Sequence, residues 1–178
     1  MEIVNLEGIP CQVVRRSGRR VRLAFRQGRL RVVLPRHLDP QPVIDRHRQW
    51  ILEKHQWFQE QRRKAEELEL LRRSNDEFVA LVRDCSGKYA GALGVKPSGI
   101  GFRRMKSKWG SCSAKGKVNL NTWLQVLPDE LVAFIVYHEL AHLRVRNHGP
   151  EFKALVRSEF PHHRDLDRQL KLYSLKIL

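Results

Sequence analysis

A short apolar segment that carries a His-Glu pair places the strongest constraint on the fold of this chain. Residues 131–141 read LVAFIVYHELA, so a helix formed by them is apolar on nearly every side. Helices of this kind lie in the interior of a domain. We therefore expect a buried helix that encloses His138 and Glu139, an arrangement that costs free energy unless specific partners compensate it.

The spacing of the polar residues in this helix indicates a metal site. His138 and His142 are four residues apart, and side chains at that spacing share one face of a helix. Two such imidazoles can bind one Zn²⁺, and Glu139 lies where its carboxylate can act on a water at the metal without binding the metal itself. A bound metal would also offset the cost of burial. The alternative is a core helix that happens to contain two hydrogen-bonded histidines.

His148 is the predicted third zinc ligand. It lies within the segment Asn147–Pro150, which is typical of a helix stop and places His148 where the chain turns back. Three protein ligands leave the fourth position open, as catalytic zinc sites require. Other residues could take part instead: Glu151, His162 or His163 as the third ligand, and Cys112 as a fourth, although a small buried thiol is the simpler interpretation of Cys112.

Composition limits the class of protein. A chain of 178 residues with 42% hydrophobic residues fits one domain, or one domain with a small appendage. No run of 18 apolar residues occurs, so we expect no membrane contact. The first seven residues lack the features of a signal peptide, and the three cysteines form no closely spaced pair. These observations predict a cytoplasmic protein.

The charge of the chain is strongly positive and clustered. There are 34 basic and 19 acidic residues, which gives a net charge of +15. Residues 11–38 contain nine arginines and no acid, and residues 85–128 contain eight basic residues and no acid. Such fields attract polyanions, so nucleic acid is a candidate partner. The alternative is a solvated basic face, and no motif for sequence-specific recognition is present.

Hydrophobic patterns predict an N-terminal part, residues 1–73, made of strands and a long helix. The runs 12–16, 20–25 and 29–34 are typical of a small antiparallel meander with a basic outer face. Residues from Asp39 to Arg73 then predict a long helix.

The remaining residues, 74–178, predict the domain that holds the metal. Ser74 is the expected cap of a helix that runs to about Ala90. Proline and two acids at 128–130 are typical of the start of the metal-binding helix. Extended segments are expected at 96–104, 117–121 and 124–126, and closing helices at 150–160 and 164–175.

Several motifs between Arg104 and Phe152 resemble the YgjP-like family of predicted metal-dependent hydrolases. They are RMKSKWGSCS at 104–113, NLN at 119–121, Leu127-Pro128, HELAH at 138–142 and Asn147-His148. The family is related to the SprT and WLM zinc proteases, some of which act on proteins crosslinked to DNA. The resemblance implies an α+β, zincin-like fold with a small antiparallel sheet. It also implies His138, His142 and His148 as zinc ligands, and Glu139 as the catalytic carboxylate.

These observations together predict a zinc metallopeptidase that acts on peptides or proteins, with DNA-bound proteins as one candidate class of substrate. The backbone of strand 117–121 is the expected pairing edge for an extended substrate. Two other functions remain open, a zinc hydrolase of non-peptide amides and a basic nucleic-acid-binding module with structural zinc. Candidates for stabilising the oxyanion are residues that follow the site: His162, His163, Arg164 and Tyr173.

Overall fold

The computed structural model describes residues 2–26 and 28–178, which form two compact units. The first unit ends at Glu66 and the second begins at Glu67, seven residues before the boundary drawn from the sequence. Residues 67–73 belong to the second unit because their backbone and side chains bond to it. The amide of Leu71 donates to the Val126 carbonyl (2.9 Å), and the Arg73 guanidinium donates to the Gln125 carbonyl (2.9 Å).

The first unit contains a four-stranded sheet of mixed direction. Its spatial order is β1-β2-β4-β3, and β2 and β4 pair in parallel where the sequence predicts only antiparallel neighbours. The central pair carries the fully buried side chains Cys11, Leu30 and Val32, whereas residues 23–25 of β3 are only partly buried. Burial therefore places β2 against β4 and leaves β3 at an edge. The strands are β1 (Glu2–Leu6), β2 (Ile9–Arg16), β3 (Arg22–Arg26) and β4 (Arg29–Pro35).

Two helices follow this sheet where the sequence predicts one long helix to Arg73. They are α1 (Pro40–Arg46) and α2 (Arg48–Glu66). The chain breaks at His47, whose amide donates to the Ile44 carbonyl (3.0 Å) in a tight turn. Ile44 and Ile51, on either side of this break, are both fully buried in the core of the first unit.

The second unit begins with helix α3 (Asn75–Leu93), which Ser74 caps as predicted. The helix ends at Leu93, three residues later than expected, and Gly94 caps it in the left-handed conformation with φ of 64°. A three-stranded sheet follows in the order β5-β7-β6, in which β7 is parallel to β5 and antiparallel to β6. Its strands are β5 (Gly99–Arg103), β6 (Gly110–Cys112) and β7 (Lys117–Asn121). Residues Thr122–Val126 form a 3-10 helix, so the extended segment predicted at 124–126 is wrong.

Helix α4 (Asp129–Ala141) is the centre of the second unit. Its side chains from Leu131 to Ala141 are buried on nearly every side, as the apolar sequence predicts. Around it lie α3, the sheet, and the closing helices α5 (Pro150–Glu159) and α6 (His163–Ile177). The α+β class is therefore confirmed. Among the described residues, no helix combines the length and apolarity that crossing a bilayer requires.

Candidate metal centre

Three histidines converge at the C-terminal end of α4. His138 lies in the last turn of α4, His142 directly follows the helix with helical dihedral angles, and His148 lies in the turn before α5. One ring nitrogen from each lies within 4.8 Å of the other two. The Nε2 atoms of His148 and His138 are 3.0 Å apart. The structure thus brings together the three histidines that the sequence singles out.

The alternative ligands lie elsewhere. His162 contacts the carboxylate of Glu130 (2.6 Å), and Nδ1 of His163 lies 3.1 Å from the Phe160 carbonyl. Glu151 is exposed and stands outside the histidine group, as does Cys112. Over residues 2–26 and 28–178, no second group of three or more potential ligand side chains has comparable geometry.

The chemistry of the three imidazoles fits a divalent metal. Burial, reinforced by the two neighbouring histidines, lowers the pKa of His138 to about 4, and burial also lowers the pKa of His142. Neutral imidazole is the form that binds a metal. Nδ1 of His142 lies 3.2 Å from the Val145 carbonyl, and a proton donated there leaves Nε2 free as a ligand.

Phe152 supports all three imidazoles from one side. This buried residue is in the first turn of α5, directly after the turn that carries His148. Its ring centroid lies 4.9 Å from that of His138, 4.6 Å from that of His142 and 4.7 Å from that of His148. This packing restricts the orientations of His138 and His142, which are partly buried, more than that of His148, which is exposed.

Glu139 lies beside the histidines in a space that Gly110 leaves open. The side chain of Glu139 is only 7% exposed. A Cβ atom added to Gly110 would lie 2.6 Å from Cγ, 2.8 Å from Cδ and 2.7 Å from Oε1 of Glu139. Burial raises the pKa of Glu139 to about 7, against the opposing charge of Lys108. The sequence does not reveal this contact, although Gly110 lies in the Trp-Gly-Ser-Cys motif.

Asn121 fixes the loop that leads into β6. Its side chain is completely buried, and Nδ2 donates to the carbonyls of Met105 (2.9 Å) and Lys108 (2.7 Å). Oδ1 accepts from the amides of Met105 (3.3 Å) and Trp123 (3.2 Å). Trp109, at the end of this loop, is buried and donates to the hydroxyl of Ser174 (3.0 Å). The loop therefore sets the position of Gly110 opposite Glu139.

We expect Asn121→Ala to lower the free energy of unfolding by about 3 kcal/mol, because buried partners of the amide lose their hydrogen bonds. Chemical denaturation measures the change. The matched control is Asn119→Ala on the same strand, since the Asn119 side chain makes no hydrogen bond to a described residue. A loss below about 1 kcal/mol for Asn121→Ala would contradict the assigned role.

An open cleft with a volume of about 690 Å³ contains the histidine group. β6 and the loop after it form one wall, and Glu139 is the only acidic side chain among the lining residues. Three basic residues, whose location the sequence does not indicate, also line the cleft: Lys96, Lys108 and Arg146.

Two predictions about how the substrate is bound are wrong. β7 has β5 on one side and β6 on the other, so strand 117–121 offers no free edge. The residues considered for the oxyanion do not line the cleft. Tyr173, for example, is buried and donates its hydroxyl proton to the Glu69 carbonyl (3.1 Å).

Comparisons with known proteins place this chain among peptidases. Residues 69–173 match the family described as YgjP-like, metallopeptidase domain. The metallopeptidase zymogen of Pyrococcus abyssi abylysin is 26% identical with a TM-score of 0.45, over 51% of this chain and 90% of that one. The metallopeptidase zymogen of Methanocaldococcus jannaschii jannalysin is 28% identical with a TM-score of 0.46, over 54% and 97%. No curated protein sequence matches the chain.

Proposed function

Because the chain belongs to the YgjP-like metallopeptidase family, we propose that it is a zinc peptidase with His138, His142 and His148 as ligands and Glu139 as general base. Family membership makes the chain a metal-dependent hydrolase of peptides or proteins. The choice of zinc and the roles of the four residues are our additions. The observation that carries them is the convergence of three imidazole nitrogens within 4.8 Å, in a cleft that Glu139 also lines.

The donor set favours zinc over other divalent ions. Zinc is commonly held by three imidazoles in catalytic sites, whereas magnesium and calcium take oxygen ligands. When bound, the metal supplies Lewis-acid polarisation of a carbonyl and lowers the pKa of water. The three histidines hold it, and the Val145 carbonyl orients one of them through His142 Nδ1.

In this proposal Glu139 moves the proton. Its carboxylate accepts a proton from the water that attacks the scissile carbonyl, and then donates that proton to the leaving amine nitrogen. Glu139 is mostly buried beside Gly110, and its carboxylate reaches solvent through the cleft that it lines. A purely structural metal site would have no use for a buried carboxylate here, so a structural zinc module is the weaker alternative.

The edge of β6 is the proposed binding position for an extended peptide. In the described part of its sheet, β6 pairs with β7 alone, and its residues line the cleft. A peptide placed alongside β6 would form backbone hydrogen bonds while its scissile bond lies near Glu139. The same site could hydrolyse other amides, and cleavage of peptides distinguishes the two.

The positive charge of the chain supports one extension of the proposed function, in which some of the substrates are proteins bound to nucleic acid. Nine arginines without an acid in residues 11–38 would attract such complexes. Addition of single-stranded DNA should then accelerate cleavage of a DNA-binding protein but not of casein.

The proposed function is tested by zinc content and casein cleavage of the same preparation. We expect one zinc per wild-type chain, with cleavage abolished by a chelator and restored by zinc. In His148→Ala the zinc content should fall to a small fraction of one per chain, because the site loses a ligand.

His162→Ala is the matched control, since His162 pairs with Glu130 away from the cleft. It should keep both zinc and activity. Full zinc content and full activity in His148→Ala would overturn the ligand assignment, and a wild-type protein that binds no metal would overturn the proposed function.

A further inference from the structure

Three cations that form no ion pair with a described residue line the cleft. The side chains of Lys96 and Lys108 make no hydrogen bond or ion pair with any described residue. Arg146 donates to the carbonyl of Ala114 (3.3 Å), which is uncharged, so its positive charge is also unmatched. All three side chains are exposed, and the buried Glu139 is the only acid among the described residues that line the cleft. A smaller adjoining cavity, which Glu139 also lines, adds one acid and one cation, Asp167 and Lys171.

These cations lie on both sides of Glu139 along β6. Lys108 is two residues before Gly110, which faces Glu139. Ala114, which Arg146 contacts, lies four residues after Gly110, in the turn that follows the C-terminal end of β6. Lys96 lies at this same end, because the neighbouring Ser98 amide donates to the Gly116 carbonyl (3.0 Å). An extended peptide beside β6 would thus pass a cation on each side of its scissile bond.

We propose that the cleft selects peptides with acidic side chains on both sides of the scissile bond, a specificity that rests on the proposed peptidase function. Lys108 would bind the carboxylate on one side, and Lys96 with Arg146 the carboxylates on the other. Peptides fit this cleft better than single-stranded nucleic acid, because proteins bind the latter by stacking bases on aromatic rings. No Phe, Tyr or Trp lines the cleft among the described residues, and the two aromatic residues of the adjoining cavity, Trp109 and Phe134, are buried and cannot stack on bases.

The test uses quenched fluorescent peptides that carry Glu or the neutral isostere Gln on one side, the other side or both sides of the cleavage site. Exposed ion pairs change an equilibrium by about two- to fivefold each, so the doubly acidic peptide should be cleaved about 10-fold more efficiently than the neutral one. At about 0.5 M salt the preference should largely disappear, because exposed charges are screened.

Single charge reversals assign the two sides. Lys108→Glu should reduce the preference for Glu on one side only, and Arg146→Glu on the opposite side only. Matched controls are Lys153→Glu and Arg157→Glu, two exposed residues of α5 that do not line the cleft, and both should keep the wild-type preference. A preference that is absent, or equally changed by the controls, would overturn the proposal.

Binding separates this proposal from the proposed function. The same peptides are titrated into Glu139→Gln by fluorescence anisotropy, which requires no hydrolysis. Tighter binding of acidic peptides without wild-type cleavage would support the selective cleft and reject the peptidase. Cleavage by the wild type without any charge preference would support the peptidase and reject the selective cleft. An oligonucleotide is the competing ligand. If it displaces the acidic peptide and binds more tightly than the peptide does, and if only Lys108→Glu and Arg146→Glu weaken its binding, nucleic acid is the ligand and the proposal fails.

Discussion

Replacement of Glu139 by Gln should lower kcat/KM for peptide cleavage by about 10³-fold while the zinc content stays at one per chain. General bases contribute about 10²–10⁴-fold to rate, and Gln cannot accept the proton of the attacking water. The two side chains have nearly the same size, so the buried space beside Gly110 remains filled. Zinc analysis and steady-state cleavage of one quenched peptide measure both quantities on the same preparation.

Glu151→Gln provides the matched control for this experiment. Glu151 is an exposed carboxylate close in sequence to His148 but outside the cleft, and its variant should cleave at the wild-type rate. Retention of activity in Glu139→Gln would remove the general-base assignment. Loss of zinc from that variant would instead identify Glu139 as a metal ligand.

Gly110→Ala should reduce cleavage by about 100-fold although the residue has no reactive group. The added methyl would lie 2.6–2.8 Å from three atoms of Glu139, and one of these is Cγ, so a rotation of the carboxylate end alone does not relieve the clash. The Glu139 side chain must therefore move by about 1 Å, a displacement that can cost about 100-fold in rate. The effect should appear in kcat, with unchanged zinc content.

A double variant distinguishes this role from general damage to the sheet. If Gly110→Ala acts by displacing Glu139, it should add little further loss in the presence of Glu139→Gln. Gly99→Ala is the matched control, because a Cβ at Gly99 meets no atom within 4 Å. Additive losses in the double variant, or an equal loss in Gly99→Ala, would show that Gly110 does not act through Glu139.

The parts of the site that lie within one helix and its ends could be predicted from the sequence. The apolar pattern of residues 131–141 indicates a buried helix, and the stop signal at Asn147–Pro150 places His148 in a turn. Both depend on local rules of periodicity and backbone conformation. The assignment of Glu139 as the base and of the histidines as ligands stays a prediction until the experiments above are done.

Contacts between distant segments could not be predicted in this way. The approach of Gly110 to Glu139 joins residues 29 positions apart, and nothing in the local pattern of either segment specifies it. Likewise, the sequence predicts that residues 117–121 are extended but not that they form the central strand, because strand order depends on which neighbours bury each face. The basic cluster at residues 85–128 does not indicate that Lys96 and Lys108 line the cleft, and Arg146 lies outside both clusters.

The contact of Phe152 with three imidazole rings bears on which ion the protein would accept. A set of nitrogens held by packing cannot rearrange freely to suit an ion that needs six or more oxygen ligands, as magnesium and calcium do. Packing also means that the partly buried rings of His138 and His142 lose little rotational freedom when the ion arrives, so less conformational entropy is lost on binding. A benzyl group that never touches the metal would thus contribute to metal selectivity and to the strength of binding.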